Sequence, residues 1–304
     1  MLQLNYDYAS CIRSSEKVAW KLDAVMPPET KIDFSRPFLP EGLFSIERLT
    51  CLTPAQRLML NQISGNSYLN LFAFVEEYIT AMAVKHAQAE LFGDHLAVRA
   101  LVRFAEEEAK HQQLFWRYCS TFERDFGHKC HLLGAAAEVA GVILGKSTLA
   151  VTLVTLHLEL MTQAHYTESV RGNQNLDPLF CDLLRHHWME EAQHARIDAL
   201  ELDKLLDAVG PEQIATCFDE YIELLDAFDG LLLTQSQLDL QTLSEALGQT
   251  FSDADAKAIV ASQHAAYRNT FLISGMTNKA FEEIVRTISP QAADRIKTKA
   301  EGFR

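Results

Sequence analysis

The sequence has little glycine or proline, and its cysteines follow no regular spacing. Of 304 residues, 13 are Gly, 8 are Pro and 6 are Cys, and 48% are hydrophobic. This composition excludes collagen, a disordered chain and a small fold held together by disulfides. Scattered cysteines without a Cys-x-x-Cys pair are typical of reduced thiols, and the first residues do not resemble a signal peptide. We therefore predict a cytoplasmic protein.

Positive charge is also scarce, since 27 Lys and Arg residues face 41 Asp and Glu residues and the net charge is −14. Such a surface repels phosphates and anionic lipids, so we expect neither nucleic acid nor a membrane surface as a partner. No uninterrupted apolar run reaches the ~18 residues that a membrane span needs. The most apolar region, residues 131–160, is interrupted by Glu138 and Lys146. We interpret it as a helix that is buried inside the protein.

Helical periodicity dominates the chain after residue 53. Residues 1–50 contain four prolines and are predicted to be irregular, and alternating β-branched runs are absent, so no sheet is expected. The sequence predicts one all-α domain in which a helical bundle (51–208) is followed by peripheral helices (209–304). These outer helices would form a lid or a subunit contact, and we predict a homodimer. The predicted helices cover 54–64, 67–91, 94–125, 147–171, 177–208, 212–230, 236–247, 254–274, 279–287 and 290–300.

Two copies of an E-E-A-x-H motif are the clearest chemical signal in the chain. Residues 107–111 read EEAKH, and residues 190–194 read EEAQH. A Glu and a His three residues apart lie on one helix face, so each copy can direct two ligands to one point. In both helices this face is apolar, where a carboxylate and an imidazole are costly unless they are paired or bind a metal. The residues concerned are Glu108 and His111 in the first copy, and Glu191 and His194 in the second.

Helical bundles of the ferritin-like di-iron type add one Glu from each of two further helices. Glu159 is the only acid in the apolar helix upstream of the second copy. The two copies are 83 residues apart, and the same offset leads from Glu159 back to Glu76. The helical wheel surrounds Glu76 with apolar residues. Glu77 stays an alternative, because the loops of the two halves could differ in length.

His187 breaks the symmetry between the two halves. It precedes Glu191 by four residues and lies on the same helix face, whereas the equivalent position of the first half is Phe104. A single His on an apolar face is usually a core residue. This one lies one turn from two proposed ligands, so we predict a third imidazole on one of the metals.

The order Glu, E-x-x-H, Glu, H-x-x-x-E-x-x-H resembles the non-haem di-iron arylamine N-oxygenases, typified by the p-aminobenzoate and chloramphenicol-pathway enzymes, over about residues 67–200. The E-x-x-H pair is common to ferritin-like di-iron proteins, and the extra imidazole is the more specific mark. The resemblance implies a ferritin-like four-helix bundle core, two Fe ions, O2, an amine substrate and an external electron donor, with Mn/Fe left open. The ligands that it implies are Glu76, Glu108, His111, Glu159, His187, Glu191 and His194.

Further polar residues have weaker assignments. Glu107 could orient His194 from the opposite helix, and Glu190 could orient His111, although both could equally be solvent-facing acids. Asp198, one turn beyond the second motif, could accept a proton from a ligand imidazole or line a pocket. The residues interpreted as structural are His157, His165, His264 and Tyr267.

Other functions are compatible with the same metal-binding pattern. A radical-generating ribonucleotide reductase subunit needs a Tyr one turn past the first His, and that position is Phe115. A ferroxidase is usually about half as long and has no third His. A di-iron hydroxylase or oxidase that acts at carbon stays open, and a scaffold without metal would have to explain several buried acids.

Overall fold

The computed structural model describes residue 2, residues 4–44 and residues 49–304. Within these ranges every regular element is a helix and none is a β-strand, which confirms the prediction of an all-α fold. No helix in these ranges has both the length and the apolarity needed to cross a membrane. Two π-helical turns, His165–Val170 and Arg268–Ile273, follow α6 and α9. The α-helices are α1 (Tyr8–Val18), α2 (Leu22–Val25), α3 (Pro54–Ala89), α4 (His95–Phe126), α5 (Ala136–Leu144), α6 (Thr148–Ala164), α7 (Pro178–Asp207), α8 (Pro211–Leu247), α9 (Asp253–Tyr267), α10 (Ser274–Met276), α11 (Lys279–Ile288) and α12 (Pro290–Gly302).

Four long helices form the bundle. Helix α3 packs along α4, α6 packs along α7, and the two pairs meet where α4 contacts α7 and α3 contacts α6. Thr53, Asp94 and Asp177 begin three of these helices, and each accepts a hydrogen bond from a backbone N–H in the first turn. Such caps satisfy amides that have no partner within the helix. Helix α4 ends at Gly127, whose φ of 76° lies in the left-handed region that glycine adopts without strain.

The predicted break near Gly65 is wrong, because α3 continues through it from Pro54 to Ala89. A Cβ atom on Gly65 would lie 2.8 Å from the Cβ of Phe38. The glycine therefore allows the N-terminal segment to approach the helix closely. Phe38 in turn stacks on Phe180, the two ring centroids being 5.4 Å apart, and so ties this segment to α7.

The prediction of an irregular segment over residues 1–50 is also wrong in part, because α1 and α2 lie within it. The side chain of Asp7 caps α1 by accepting a hydrogen bond from the backbone N–H of Ser10. Helix α1 packs against α4 and α7 and buries Cys11 and Ile12 in that contact. The four prolines all follow α2, so they limit helix formation only in the second half of the segment.

The C-terminal helices differ from prediction at several points. Helix α8 is continuous where two helices, 212–230 and 236–247, are predicted. Gly230 lies within it, and a glycine inside a helix costs only about 1 kcal/mol relative to alanine. A π turn interrupts the predicted helix 254–274, and another ends the predicted helix 147–171. The prediction of one buried helix over residues 131–160 is wrong, because this region holds the separate helices α5 and α6 and only Ile143 of α5 is buried.

A buried carboxylate joins α3, α8 and α9 outside the metal-binding motifs. Oδ1 of Asp239 accepts hydrogen bonds from Ser67 and Gln235, and Oδ2 accepts from Tyr267 and Gln263, all at 2.6–3.1 Å. The hydroxyl of Ser64 adds a longer bond to Oδ2 at 3.5 Å. Burial raises the pKa of Asp239 to about 6. We call this group the Asp239 cluster, and all of its donors are neutral side chains.

The polar residues that the sequence marks as structural do join helices. His157 hydrogen-bonds to the Tyr221 hydroxyl on α8 at 2.6 Å, and His165 lies between the hydroxyls of Tyr68 and Ser274. His264 contacts an α8 carboxylate, and Tyr267 belongs to the Asp239 cluster. These contacts are those expected of residues that join helices.

Candidate metal centre

The bundle brings six of the seven predicted ligands into two overlapping groups. In each group the ligand atoms lie within 4.8 Å of one another, and every side chain is buried. Helix α3 supplies one residue, α4 supplies two and α7 supplies three. The first group is Glu76, His111, His187 and Glu191, and the second is Glu108, His111, Glu191 and His194.

His187 lies on the His111 side of the centre. Its Nε2 atom is 3.1 Å from Oε1 of Glu76 and 2.7 Å from Oε1 of Glu191. The imidazole rings of His187 and His111 have centroids 4.6 Å apart. Two imidazoles and the α3 carboxylate therefore meet at one position. Glu77, the alternative to Glu76, is only partly buried and belongs to neither group.

The His194 side has a different neighbour in the equivalent place. The Nδ1 atom of His194 is 2.7 Å from Oε1 of Glu108 and 3.3 Å from Oε2 of Glu191. The ring of Phe104 stacks on this imidazole, with the centroids 4.1 Å apart. Glu159 is in neither group, but it is buried and interacts with Glu191 and Glu108. This side therefore has no counterpart of His187, and the only other imidazole in the group of His194 is that of His111.

Glu107 and Glu190 hold the two motif imidazoles from the opposite helices. The Nε2–H group of His194 donates to Glu107, and that of His111 donates to Glu190, each at 2.9 Å. The sequence interpretation of both acids is thus confirmed. A carboxylate can only accept, so Nε2 of each imidazole carries a proton, and Nδ1 faces the central carboxylates, where a metal would bind.

Several buried atoms of the centre make no well-oriented hydrogen bond and only contact one another at ion-pair distance, as Nδ1 of His111 does with Oε1 of Glu191 at 3.0 Å and Nδ1 of His194 with Oε1 of Glu108 at 2.7 Å. Such atoms are costly to bury unless something compensates them. One is Nδ1 of His111, and the others are carboxylate oxygens that face the same space. A pair of cations at this point would satisfy them, and oxygen and imidazole donors without thiolate suit iron or manganese. The cluster is therefore able to bind a metal pair. The unpartnered carboxylate oxygens are Oε2 of Glu76, both oxygens of Glu108, Oε2 of Glu159 and Oε1 of Glu191.

The pKa values of the carboxylates in the centre are shifted because their charges are buried close together. Burial raises the pKa of Glu76 to about 7, and burial together with Glu191 raises the pKa of Glu159 well above its usual range. For Glu191, burial favours the neutral acid, but the imidazoles of His187 and His194 outweigh burial and lower its pKa well below the usual value. The protein alone thus cannot hold all these carboxylates in the charged state.

Asp198 lies one turn beyond His194, is buried, and has no partner for its Oδ2 atom. Burial and the nearby Glu108 raise its pKa well above the usual value. The Nε2 protons of His111 and His194 already go to other carboxylates. The structure therefore gives no support to the prediction that Asp198 accepts a proton from a ligand imidazole.

The N-terminal segment also reaches the centre, which sequence reasoning missed. The indole of Trp20 stacks on His111 at 5.9 Å between centroids, and the hydroxyl of Ser15 donates to Glu107. The short amphipathic run after Asp7 is the sequence feature that indicates a helix here. The prolines further along instead suggest an irregular segment.

The placement of one Glu on α3, one on α6 and a Glu-x-x-His pair on each of α4 and α7 is that of ferritin-like di-metal bundles. No family model matches the chain, and no curated protein matches it either. Among solved structures, it is similar to an R2-like ligand-binding oxidase with an aerobically reconstituted Mn/Fe cofactor, with 14% identity and a TM-score of 0.44 over 88% of this chain and 94% of that one. A mutant oxidase with an anaerobically reconstituted Mn/Fe cofactor gives 15% identity and a TM-score of 0.47 over the same shares. These are distant likenesses, and the assignment of the site rests on its own geometry.

Proposed function

We propose that this protein is a di-metal oxygenase, which uses O2 to oxidise the amine of a small molecule. The observation that carries the proposal is the convergence of buried imidazole and carboxylate atoms without hydrogen-bond partners on one space between α3, α4, α6 and α7. Such a donor set is costly for a scaffold and useful for an enzyme that binds two metals.

The ligand roles follow from the distances. Glu76, His111 and His187 would hold one metal, and His194 would hold the other. Glu159, which interacts with Glu191, Glu108 and His194, is proposed for the second metal from the resemblance. Glu108 and Glu191 each approach imidazoles on both sides and would lie between the metals. We propose two Fe ions, with Mn/Fe as the alternative.

A bound metal pair would supply the electrons that reduce O2. The chain's own residues orient the imidazoles and exclude water. Phe72 and Phe115 have ring centroids 5.3 and 4.9 Å from that of His187, and Phe104 covers His194. Aromatic walls of this kind make a dry space in which reactive oxygen species meet substrate before solvent.

The amine is proposed from the resemblance to the N-oxygenases, which is an analogy and not a property of the pocket. Conversion of R–NH2 to R–NHOH takes one atom of O2, and the other leaves as water. This balance needs two electrons and two protons from an external donor. Phe115 supports the proposal because it carries no hydroxyl at the position where a radical-generating subunit needs one.

The test is to load metal-free protein with Fe(II) under anaerobic conditions and then add O2 with a panel of aryl and alkyl amines. We expect two irons per chain and hydroxylamine or more oxidised nitrogen products, identified by mass. Oxygen found only at carbon would agree with the proposed metal site but contradict the proposal that an amine is oxidised. Growth of a mineral core would indicate a ferroxidase, and a stable tyrosyl radical without product would indicate a radical subunit.

The homodimer, the cytoplasmic location and the single-domain organisation stay predictions. Sedimentation of the purified chain tests the dimer directly. Limited proteolysis tests the domain prediction, since a single domain should release no stable fragment that corresponds to residues 51–208.

A further inference from the structure

Helix α1 contributes a side chain to the support of the metal centre. The buried hydroxyl of Ser15 donates a hydrogen bond to Oε1 of Glu107. The same hydroxyl oxygen accepts bonds from Nε and Nη2 of Arg103, at 2.8 and 2.6 Å. The other oxygen of Glu107 accepts the Nε2–H of His194 at 2.9 Å. A continuous chain of hydrogen bonds therefore runs from Arg103 through Ser15 and Glu107 to His194.

The other half of the centre makes the corresponding connection without α1. Lys110 bonds directly to Oε1 of Glu190 at 2.6 Å, and Oε2 of Glu190 accepts the proton of His111. By contrast, Arg103 is 3.5 Å from Glu107, at the limit of a hydrogen bond. Each motif imidazole is thus backed by a carboxylate and a cation, but only the His194 side connects them through a hydroxyl.

The position of Ser15 is held from the end of α1. The hydroxyl of Tyr8 donates to Glu201 on α7 at 2.5 Å, and Cys11 is fully buried between these two points. Ser15 therefore meets Glu107 from a helix that is itself anchored to α7, the helix that carries His194. A docked hydroxyl loses little further freedom when it forms its bonds.

We propose that Ser15 is a positioning residue of the metal centre, which fixes Glu107 against His194 and so sets the affinity of the metal position beside His194. The proposal rests on the proposed function, because it requires that His194 binds a metal. Removal of the hydroxyl leaves Oε1 of the buried Glu107 with only the long 3.5 Å contact to Arg103. Glu107 then orients the imidazole less well, and partners of ligand residues typically contribute 10–100-fold to metal affinity.

The experiment compares Ser15→Ala with Ser14→Ala, the neighbouring serine of the same helix, in metal-free protein titrated with Co(II). We expect two binding steps in the wild type and in Ser14→Ala. In Ser15→Ala we expect one step to weaken about tenfold while the other is unchanged. Ser15→Thr keeps a hydroxyl and should restore most of the affinity.

A spectroscopic readout separates positioning from general damage. In the Co(II)-loaded protein, the exchangeable Nε2–H protons of the two motif imidazoles give paramagnetically shifted proton resonances. We expect the His194 resonance to move or exchange faster with solvent in Ser15→Ala, while the His111 resonance stays in place. Thermal melting of the metal-free variants tests whether each of them is folded.

Several outcomes would overturn the proposal. Unchanged affinity in both steps would mean that Arg103 pairs with Glu107 without the hydroxyl. Equal weakening of both steps, with both resonances shifted, would assign Ser15 a purely structural role. A wild-type protein that binds no Co(II) would instead contradict the proposed function itself, so the two failures are distinguishable.

Discussion

The metal centre and the Asp239 cluster both bury carboxylates inside the helices, but they compensate the buried charge differently. Asp239 has at least two donors on each oxygen, all of them neutral side chains. The acids of the metal centre meet one another and three imidazoles, and several of their oxygens have no partner. In the first arrangement protein donors satisfy the carboxylate, whereas the second is able to bind a pair of metals. Burial of a carboxylate alone is therefore a weak sign of a metal site, and unpartnered oxygens that converge are a stronger one.

A second comparison, within the metal centre, shows where the two repeated halves have diverged. The motifs and their outer acids match, yet His187 in one half corresponds to Phe104 in the other. One metal position would then have two imidazoles and the other only one. Imidazole suits iron better than a purely carboxylate site does, so the two positions should differ in metal preference.

The largest expected effect is loss of metal when a central carboxylate is removed. Glu191→Ala and Glu108→Ala should each retain less than one iron per chain, because these residues approach imidazoles on both sides. Asp239→Asn is the matched control, as it alters a buried acid that already has its donors, and it should retain two irons. Elemental analysis after anaerobic loading measures this. Full metal content in both Glu variants would mean that the site is assigned wrongly.

The second prediction concerns stability. Metal bound to the folded state alone should raise the free energy of unfolding by about 2.7 kcal/mol per site at a free concentration of 100 Kd. Wild type and Asp239→Asn should show this increase, and Glu191→Ala should not. Urea unfolding with and without Fe(II), under anaerobic conditions, gives the difference. An equal increase in all three proteins would point to binding elsewhere.

The third prediction uses pH to examine the Asp239 cluster. Its pKa is about 6 in the folded state against an ordinary 3.8, so the folded protein holds the proton more tightly than the unfolded chain does. The stabilising contribution is therefore complete below pH 3.8 and is lost as the pH rises through 6. Wild type should lose more stability than Asp239→Asn between pH 4.5 and 7.5, by at most about 3 kcal/mol. Urea unfolding at both pH values measures the loss, and an equal loss of stability in the two proteins would contradict the prediction.

The smallest expected effect tests the asymmetry within the metal centre. His187→Ala should fold and still take up iron, since the motif ligands are intact, but its optical change on O2 addition should differ from that of wild type. Adding Phe104→His to this variant should not restore the spectrum, because residue 104 stacks on His194 and lies on the other side. An unchanged spectrum in His187→Ala would make this residue part of the core.

The sequence was sufficient for the parts of the site that depend on local spacing. Glu108 and His111 are on one face because the helix repeats every 3.6 residues, and the offset between the motifs identified Glu76 over Glu77. The same repeat suggested that Glu107 binds His194 and Glu190 binds His111, each across to the opposite helix. These inferences needed only helix geometry and the assumption that two similar helices face each other.

The parts that were missed depend on contacts distant in sequence. Gly65 lies inside a continuous helix, and its missing side chain leaves room for Phe38 to pack against the helix. Nothing near Gly65 in the sequence indicates this close contact with Phe38. Ser15 and Trp20 reach the centre because α1 lies across α4 and α7. Tertiary packing decided both features, and a local pattern does not contain that information.

Because α3 is one continuous helix, it connects the local unfolding of two regions of the protein. Ser67, near the middle of this helix, belongs to the Asp239 cluster, while Glu76, nine residues further on, belongs to the metal centre. At 1.5 Å per residue these points are only about 14 Å apart along one rigid axis. Amide hydrogens between Ser67 and Glu76 should therefore exchange with solvent in a single cooperative event that opens the Asp239 cluster and the metal centre together.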